Sequence, residues 1–547
     1  MNSNPDSGPA QASAPPVQRT IARNTLWNVA GRAWDAISAL VLTPYIVWRI
    51  GLDDYGVWGL VASFAGYVAL LDLGLGSGYA KFIAEYAARG ERRRVSQLIS
   101  TAVFAYALLG VLLAALGLPL LGMATEGLGE LLGVSQVDGG TLVFLVQFSF
   151  TLFLLGNCVA PFTSVQSGLQ RMDLTNVVGF AMSLIKAITT VLFLESNYGL
   201  RGLMYSSAIV LAVYATTSVA IAYRLVSDLR IRPSNFSRAE FKTLFSYGWR
   251  AQVARLSNLI TFETDLLVVG FVFKSTGLLG VYKVGVDLAN KVRQTPLMLI
   301  GALVPAASDL EAREDEKRLQ RLYVVSTKYI AAVTVPLTVF CACTSQPMMH
   351  AWMGAGLGQA GPVFALIIAG YAANILQGPG ISVALGMGRP DVQMHTGLVS
   401  MVCNIALTIA FVSPFGYVGV ASATAISMYV SMAWFLVAMR RLTRMNAATV
   451  VREALLWPAL ASLPGAVVSV ALQIVIGSGE GRAASIGIFA SAAMAFGALY
   501  ALCIRQLPFL DTFDAEFLER TLRLRAIPGF SFMMRRARNR APWAGVS

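Results

Sequence analysis

Lys283, Asp287, Asn290 and Gln294 fall within about 60° of arc on a helix that turns about 100° per residue. The run that holds them is otherwise apolar, and Lys291 and Arg293 flank them. A charge near the middle of a membrane-buried helix costs about 2.5–3.5 kcal/mol on insertion scales, so each one demands a partner or a water-filled cavity. Three other apolar runs carry such groups. Asn28, Arg32 and Asp35 are spaced by four and three, which puts them on one helical face. Asp72 sits within the next run, with Lys81 near its end. Arg250, Asn258, Thr261 and Asp265 share a broad face of a later run, with Arg255 and Glu263 off it. The cations Arg32, Lys81, Arg250, Arg255, Lys283, Lys291 and Arg293 outnumber the anions Asp35, Asp72, Glu263, Asp265 and Asp287. Positive charge in a low-dielectric cleft attracts the opposite sign, and arginine grips phosphate oxygens in pairs. An anionic cargo is expected, with a pyrophosphate as the natural candidate. The blander expectation is ion pairing within a helix, Arg32 with Asp35 and Lys283 with Asp287, serving packing alone.

Other chemistries are weakly represented. Gly74-Leu75-Gly76-Ser77-Gly78 follows no strand and lacks the Gly-Lys-Ser/Thr ending of a phosphate loop, so close packing within a membrane helix is expected there. Asp53-Asp54 reads as an exposed turn between helices. The five cysteines lie in apolar runs, and His350 and His395 are isolated, so neither a metal site nor a cofactor is expected. Lys186 stands alone in its run and is expected to snorkel or pair locally. Without a nucleotide-binding motif, any energy must come from an ion gradient, a membrane potential or a cargo gradient.

The elements that carry these residues are membrane spans. The 547 residues are 56% hydrophobic and 13% charged, about half the charged share of soluble proteins. Apolar segments of bilayer length, roughly 20 residues each, recur along the chain. They are expected near 26–48, 56–80, 97–122, 141–166, 176–194, 203–223, 246–273, 279–305, 324–346, 361–386, 395–412, 418–439, 454–476 and 484–504. The fold class is therefore an all-α polytopic membrane protein of about 14 transmembrane helices. The net charge of +13 is not a nucleic-acid signal. Of the 42 lysines and arginines, 29 fall in the two tails and the alternate loops on their side; Arg49, Arg201, Lys274 and Arg482 alone occupy the opposite loops. That asymmetry places both termini in the cytoplasm.

The chain also repeats itself. Gly168-Leu169-Gln170-Arg171-Met172-Asp173 matches Gly386-Met387-Gly388-Arg389-Pro390-Asp391, and Ser196 to Gly202 matches Ser413 to Gly419. Tyr55-Gly56-Val57-Trp58 aligns with Leu279-Gly280-Val281-Tyr282, Glu85 with Asp309, and Arg89 with Arg313. Six spans per repeat give two six-helix lobes inserted in the same orientation, as in parallel-repeat transporters. The expected division is a disordered tail at 1–19, an N-lobe at 20–224, a linker at 225–245, a C-lobe at 246–441, two further spans at 442–505 and a basic tail at 506–547. Leu510, Phe513 and Phe517 in that tail suggest an amphipathic surface helix.

Arg23-Asn24-Thr25-Leu26-Trp27-Asn28, Leu42-Thr43-Pro44, Asp53-Asp54-Tyr55-Gly56-Val57-Trp58 and Leu71-Asp72-Leu73-Gly74-Leu75-Gly76 resemble, in order and spacing, the opening of Wzx-type polysaccharide biosynthesis flippases of the multidrug/oligosaccharidyl-lipid/polysaccharide exporter superfamily. The resemblance extends over roughly residues 20–441. It implies a non-enzymatic flippase in the bacterial inner membrane that moves an undecaprenyl-pyrophosphate-linked oligosaccharide to the periplasmic leaflet by alternating access. The pathway would be that of exopolysaccharide, capsule or O-antigen, with a polysaccharide polymerase and a chain-length regulator as partners. The seven cations would bind the cargo, and the five acids would balance charge or couple ions. A lipid II flippase would carry an early arginine pattern not evident here. A drug/cation antiporter would want an acid-dominated cavity. A membrane glycosyltransferase or polymerase would want a large external loop.

Overall fold

The computed structural model describes residues 34, 37–72, 74–134, 138–297, 300, 303–354, 356–476, 481–512, 514 and 537; within its helices the side chains of 77, 126, 128, 247, 249–251 and 253–255 are not described. Every extended element among the described residues is helical. Eleven helices among the described residues are long and apolar enough to cross a membrane. One of these, Pro390–Thr443, reverses at Gly416, whose φ of 63° and ψ of −150° break the helix. Its two arms pair as a hairpin, with the Asn404 amide donating to Thr424 Oγ1 at 2.8 Å. Ile37–Ile50 and the more polar Thr276–Leu297 complete the set. Each of the 14 expected spans thus overlaps a helix among the described residues, as a multi-pass membrane protein requires.

The repeat is visible in where helices begin and end. In the first half, α1 (Ile37–Ile50) leads to α2 (Leu52–Val68), α3 (Tyr79–Ala88), α4 (Arg92–Leu131), α5 (Gly139–Gly168), α6 (Met172–Glu195) and α7 (Gly199–Leu225). In the second, α8 (Arg238–Phe273) leads to α9 (Thr276–Leu297), α10 (Leu303–Ala312), α11 (Glu316–Cys343), the short α12 (Ser345–Met353), α13 (Ala360–Gly386) and the hairpin α14 (Pro390–Thr443). Helices α2, α3 and α4 start 224 positions before α9, α10 and α11. The turns match too. Arg171 forks onto Asp173 at 3.0 Å through both nitrogens, and Arg389 does the same to Asp391. Glu85 pairs with Arg89, and Asp309 with Arg313, one helical turn apart.

Two expectations change. The expected span 56–80 is not one helix. It ends at Val68 and passes through short 3₁₀ turns at Ala69–Asp72 and Leu75–Gly78 before α3. The cause is Gly74, held at φ 71°, where a Cβ would lie 2.3 Å from the Gly248 carbonyl oxygen. Asp72 is therefore in a turn and not in mid-helix. The C-terminal segment, in turn, does not begin as a surface helix. Phe509 and Leu510 are buried, and the Asp514 carboxylate takes hydrogen bonds from Lys328 and from Tyr329 on α11. Phe513 and Phe517 lie outside the described residues.

The linker is clamped to α4. Ser96 and Ser100 both donate to the Arg230 carbonyl, and Ser237 caps α8 by accepting from the Glu240 amide at 3.3 Å. Glu240 is buried against Arg94 and Tyr86. Burial, and then the bond to that carboxylate, pushes the Tyr86 phenol up to about 12. After α14, a short α15 (Ala447–Val450) runs through one π turn into α16 (Trp457–Ile476), followed by α17 (Arg482–Gln506). These pack on α11 and α12.

Candidate functional site

The halves meet chiefly where α2 crosses α9. Helices approach this closely only where side chains are absent. A Cβ on Gly56 would lie 2.4 Å from the Thr276 carbonyl oxygen, and one on Gly280 would lie 2.2 Å from that of Leu52. Leu52 and Thr276 are themselves repeat equivalents, so the crossing is two-fold in character.

One turn further into the bundle, the same absence of a side chain makes room for a charge. The stem of Lys283 lies against Gly59, where a Cβ would be 2.8 Å from its Cδ. Lys283 donates to Asp287 Oδ1 at 2.7 Å, and Tyr55 of α2 donates to Asp287 Oδ2 at 2.5 Å. The pair is mostly shielded, with 17% and 22% of the two side chains exposed. The pair expected from the sequence does form within α9, on the face that meets α2 of the other half. Farther along α2, Ser63 donates to Glu263 of α8 at 3.0 Å, and Tyr67 shares a hydrogen bond with Thr264 at 2.5 Å. These contacts line a polar seam in an otherwise apolar interior.

A second group lies inside the second half. The Arg293 guanidinium is held 4.4 Å from the Phe262 ring centroid and 4.8 Å from that of Tyr371. Two such stacks stabilise a shielded cation by about 0.5–2 kcal/mol each and leave its edge free to grip an anion. Its Nε has no hydrogen-bond partner among the described residues. Asp265 is buried, and its Oδ2 accepts from Tyr282 and from Thr424, both at 2.8 Å. Its Oδ1 is buried without a hydrogen-bond partner among the described residues. Neither donor is a cation, which sets this acid apart from Asp287. Beside Phe262 is a small cavity of about 90 Å³ lined by amides and hydroxyls, including Asn258, Asn374, Gln377 and Ser400.

The remaining candidates separate. Asp72 accepts from the Gly74 backbone N–H and so holds its own turn. Lys81 on α3 lies 5.1 Å from the Phe82 ring. Lys291 is half-buried on α9. Arg32 and Asp35 lie outside the described residues, as do the side chains of Arg250 and Arg255. Reasoning from charge alone missed Tyr55, Ser63, Tyr282 and Thr424, which are uncharged and bind the acids. A hydroxyl next to an apolar repeat motif carries no signal until its partner is placed.

The model of the polysaccharide biosynthesis protein family matches residues 21–311. The chain is 20% identical over 410 residues to a putative O-antigen transporter of Shigella flexneri, covering 74% of this chain and 93% of that one. It is 19% identical over 416 residues to the probable flippase AglR of Haloferax volcanii, covering 75% and 81%. In fold it is similar to the lipid II flippase MurJ in an inward closed conformation, with a TM-score of 0.63 and 13% identity over 88% of this chain and 99% of that one. It is also similar to an inward-facing multidrug resistance MATE family transporter of the MOP superfamily, with a TM-score of 0.59 and 15% identity over 79% and 96%. The matched segment covers more than half of the sequence and contains α2, the Gly56–Gly280 crossing and the Lys283–Asp287 pair, so the chain belongs to the polysaccharide biosynthesis protein family.

Proposed function

We propose that this protein is a flippase that moves an undecaprenyl-pyrophosphate-linked oligosaccharide across the bacterial inner membrane, supplying exopolysaccharide, capsule or O-antigen synthesis. The observation that carries this reading is the shielded Lys283–Asp287 pair seated between the two halves on Gly59 and Tyr55. Both members of the pair belong to α9 and move with the second half. Their contacts to Tyr55 and Gly59 cross the seam, and these are remade whenever the halves rock. The N-lobe at 20–224 and the C-lobe at 246–441 are the moving bodies, with the linker at 225–245 and the two added helices fixed to them. Both termini are cytoplasmic, as the 29 cations on their side argue.

In this reading Lys283, Lys291 and Arg293, with Arg32, Lys81, Arg250 and Arg255, attract the pyrophosphate. Asp287 shields Lys283 until the phosphate displaces it. Asp265 is the ion-coupling acid, because a buried carboxylate bonded only by neutral hydroxyls needs a proton or a metal cation to offset its charge. Asp72 serves its own turn, and Glu263 joins the seam through Ser63. No catalytic step is needed. A polymerase and a chain-length regulator on the far side would consume the product.

Deleting the gene and returning either wild type or Lys283→Ala tests this. Wild type should restore surface glycan, whereas Lys283→Ala should reach the membrane but leave lipid-linked oligosaccharide accumulating. A deletion strain with normal glycan and no accumulated intermediate contradicts the reading.

A further inference from the structure

On the face of α2 away from the polar seam there is an apolar cavity of about 420 Å³. It lies at the end of the bundle remote from the described linker, between α2, the end of α4, α5 and α8. Val57, Val61, Leu132, Leu142, Val268 and Phe271 are among its walls. The hydroxyl that lines it, that of Thr125, is already bonded to the Leu121 carbonyl in its own helix. Nothing in it can bind a sugar or a phosphate, and an apolar cavity of this kind takes an apolar guest. Phe271 and the adjacent Val272 are 52% and 43% exposed, so the wall runs out to the surface that faces lipid.

A charge stands over the roof. Leu132 and Val134 line the cavity, and between them Gly133, at φ 68°, rests on the end of α8. A Cβ on Gly133 would lie 2.2 Å from Lys274 Cα. Lys274 is exposed and caps α8 in the left-handed region, one turn beyond Phe271. The chemistry is thus a hydrocarbon slot with a cation at its mouth, which fits an apolar chain ending in an anion. At about 30 Å³ per liquid-like unit, the slot holds on the order of 15 chain carbons, or three isoprene units.

We propose that this slot binds the isoprene units next to the pyrophosphate of the carrier lipid, with Lys274 beside the pyrophosphate, as a station on the side opposite the termini. The identity of the lipid rests on the flippase reading. What favours the carrier over bulk lipid is nearness to the seam, which lies across the single helix α2. The cavity wall residues Leu60 and Phe64 adjoin Gly59 and Ser63, which bind Lys283 and Glu263 on the other side of the same helix. A headgroup leaving the seam therefore finds a place for its chain within one helix width.

The test uses the full-length protein in phosphatidylcholine vesicles, photolabelled with a diazirine-bearing farnesyl diphosphate and mapped by peptide mass spectrometry. Label should fall on 57–64, 125–146 and 264–274, and unlabelled farnesyl diphosphate should compete at least tenfold better than farnesol. Val268→Trp, which fills the slot, should lower labelling there about tenfold. Lys274→Gln, which leaves the slot open, should abolish the preference for diphosphate over alcohol. Label scattered over the lipid-facing surface, an unchanged preference in Lys274→Gln, or competition by added phosphatidylcholine equal to that by diphosphate overturns the proposal. Labelling of the slot in a protein that does not flip its cargo removes the flippase reading and keeps the site; flipping without label in the slot does the reverse.

Discussion

The two halves of this molecule share their corners and differ in their interiors. Arg171–Asp173 and Arg389–Asp391 close equivalent turns with the same forked geometry. Gly199 and Gly416 both take positive φ where one helix turns back into the next. Past the Gly56–Gly280 crossing the likeness stops. The position equivalent to Lys283 is Gly59, that equivalent to Asp287 is Ser63, and that equivalent to Arg293 is Ala69. The small residues are not merely the uncharged version. Gly59 is the surface on which Lys283 lies, and Ser63 hydrogen-bonds the neighbouring acid Glu263. One half presents charge, and the other is hollowed to receive it. Turns are dictated by backbone geometry that any repeat must satisfy, whereas the seam is free to become asymmetric.

The harshest way to break that comparison is at the crossing both halves share. Gly56→Val should cost more than about 3 kcal/mol, because the clash is with backbone, which cannot rotate away. Little monodisperse protein should survive detergent extraction. Gly66→Ala on the same helix, where a Cβ would make ordinary contacts with Glu263 Cγ at 3.6 Å and Leu259 Cδ1 at 3.7 Å, should extract normally. Equal yields would show that the crossing is looser than described.

Removing charge from the half that presents it should cost function more than stability. Lys283→Ala leaves Asp287 with Tyr55 and should lower stability by about 1–3 kcal/mol, less than for a fully buried pair. Adding Asp287→Ala should recover stability but not transport. Recovery of both would reduce the pair to packing.

Asp265 and Asp72, buried acids of opposite halves, sharpen the contrast further. Asp265→Asn should remove the response of transport to an imposed proton or sodium gradient while leaving the protein folded. Asp72→Asn, which keeps an acceptor for the Gly74 N–H, should keep that response, and Asp72→Ala, which removes it, should lower thermal stability. The reverse result would move coupling to the first half. At the small end, Arg171→Ala and Arg389→Ala should behave alike, with no measurable shift in the melting midpoint, because both forks are exposed at the surface. A large effect from one alone would mean that the corners are not equivalent.

The spans, the repeat and the Lys283–Asp287 contact were legible because each rests on local spacing. A helix presents its residues at fixed angles, so a polar stripe shows in one dimension. The break at Gly74 was not legible, because its cause is Gly248, far away in the chain. Nor did sequence separate Asp265 from Asp287. Both are acids among apolar residues, and only their partners, two neutral hydroxyls against a lysine and a tyrosine, distinguish them. Tyr55 and Gly56 were visible as a repeat match, but that one binds Asp287 and the other lets α9 approach follows from packing alone.

The central claim is that the charged second half moves a pyrophosphate-linked glycan across the seam. It is tested most directly by flipping of a fluorescent undecaprenyl-pyrophosphate oligosaccharide in proteoliposomes, comparing wild type, Lys283→Ala/Asp287→Ala and Arg389→Ala. The account predicts flipping by wild type and Arg389→Ala, and loss of at least tenfold in the folded double variant. Undiminished flipping by the double variant, or none by wild type, would contradict it.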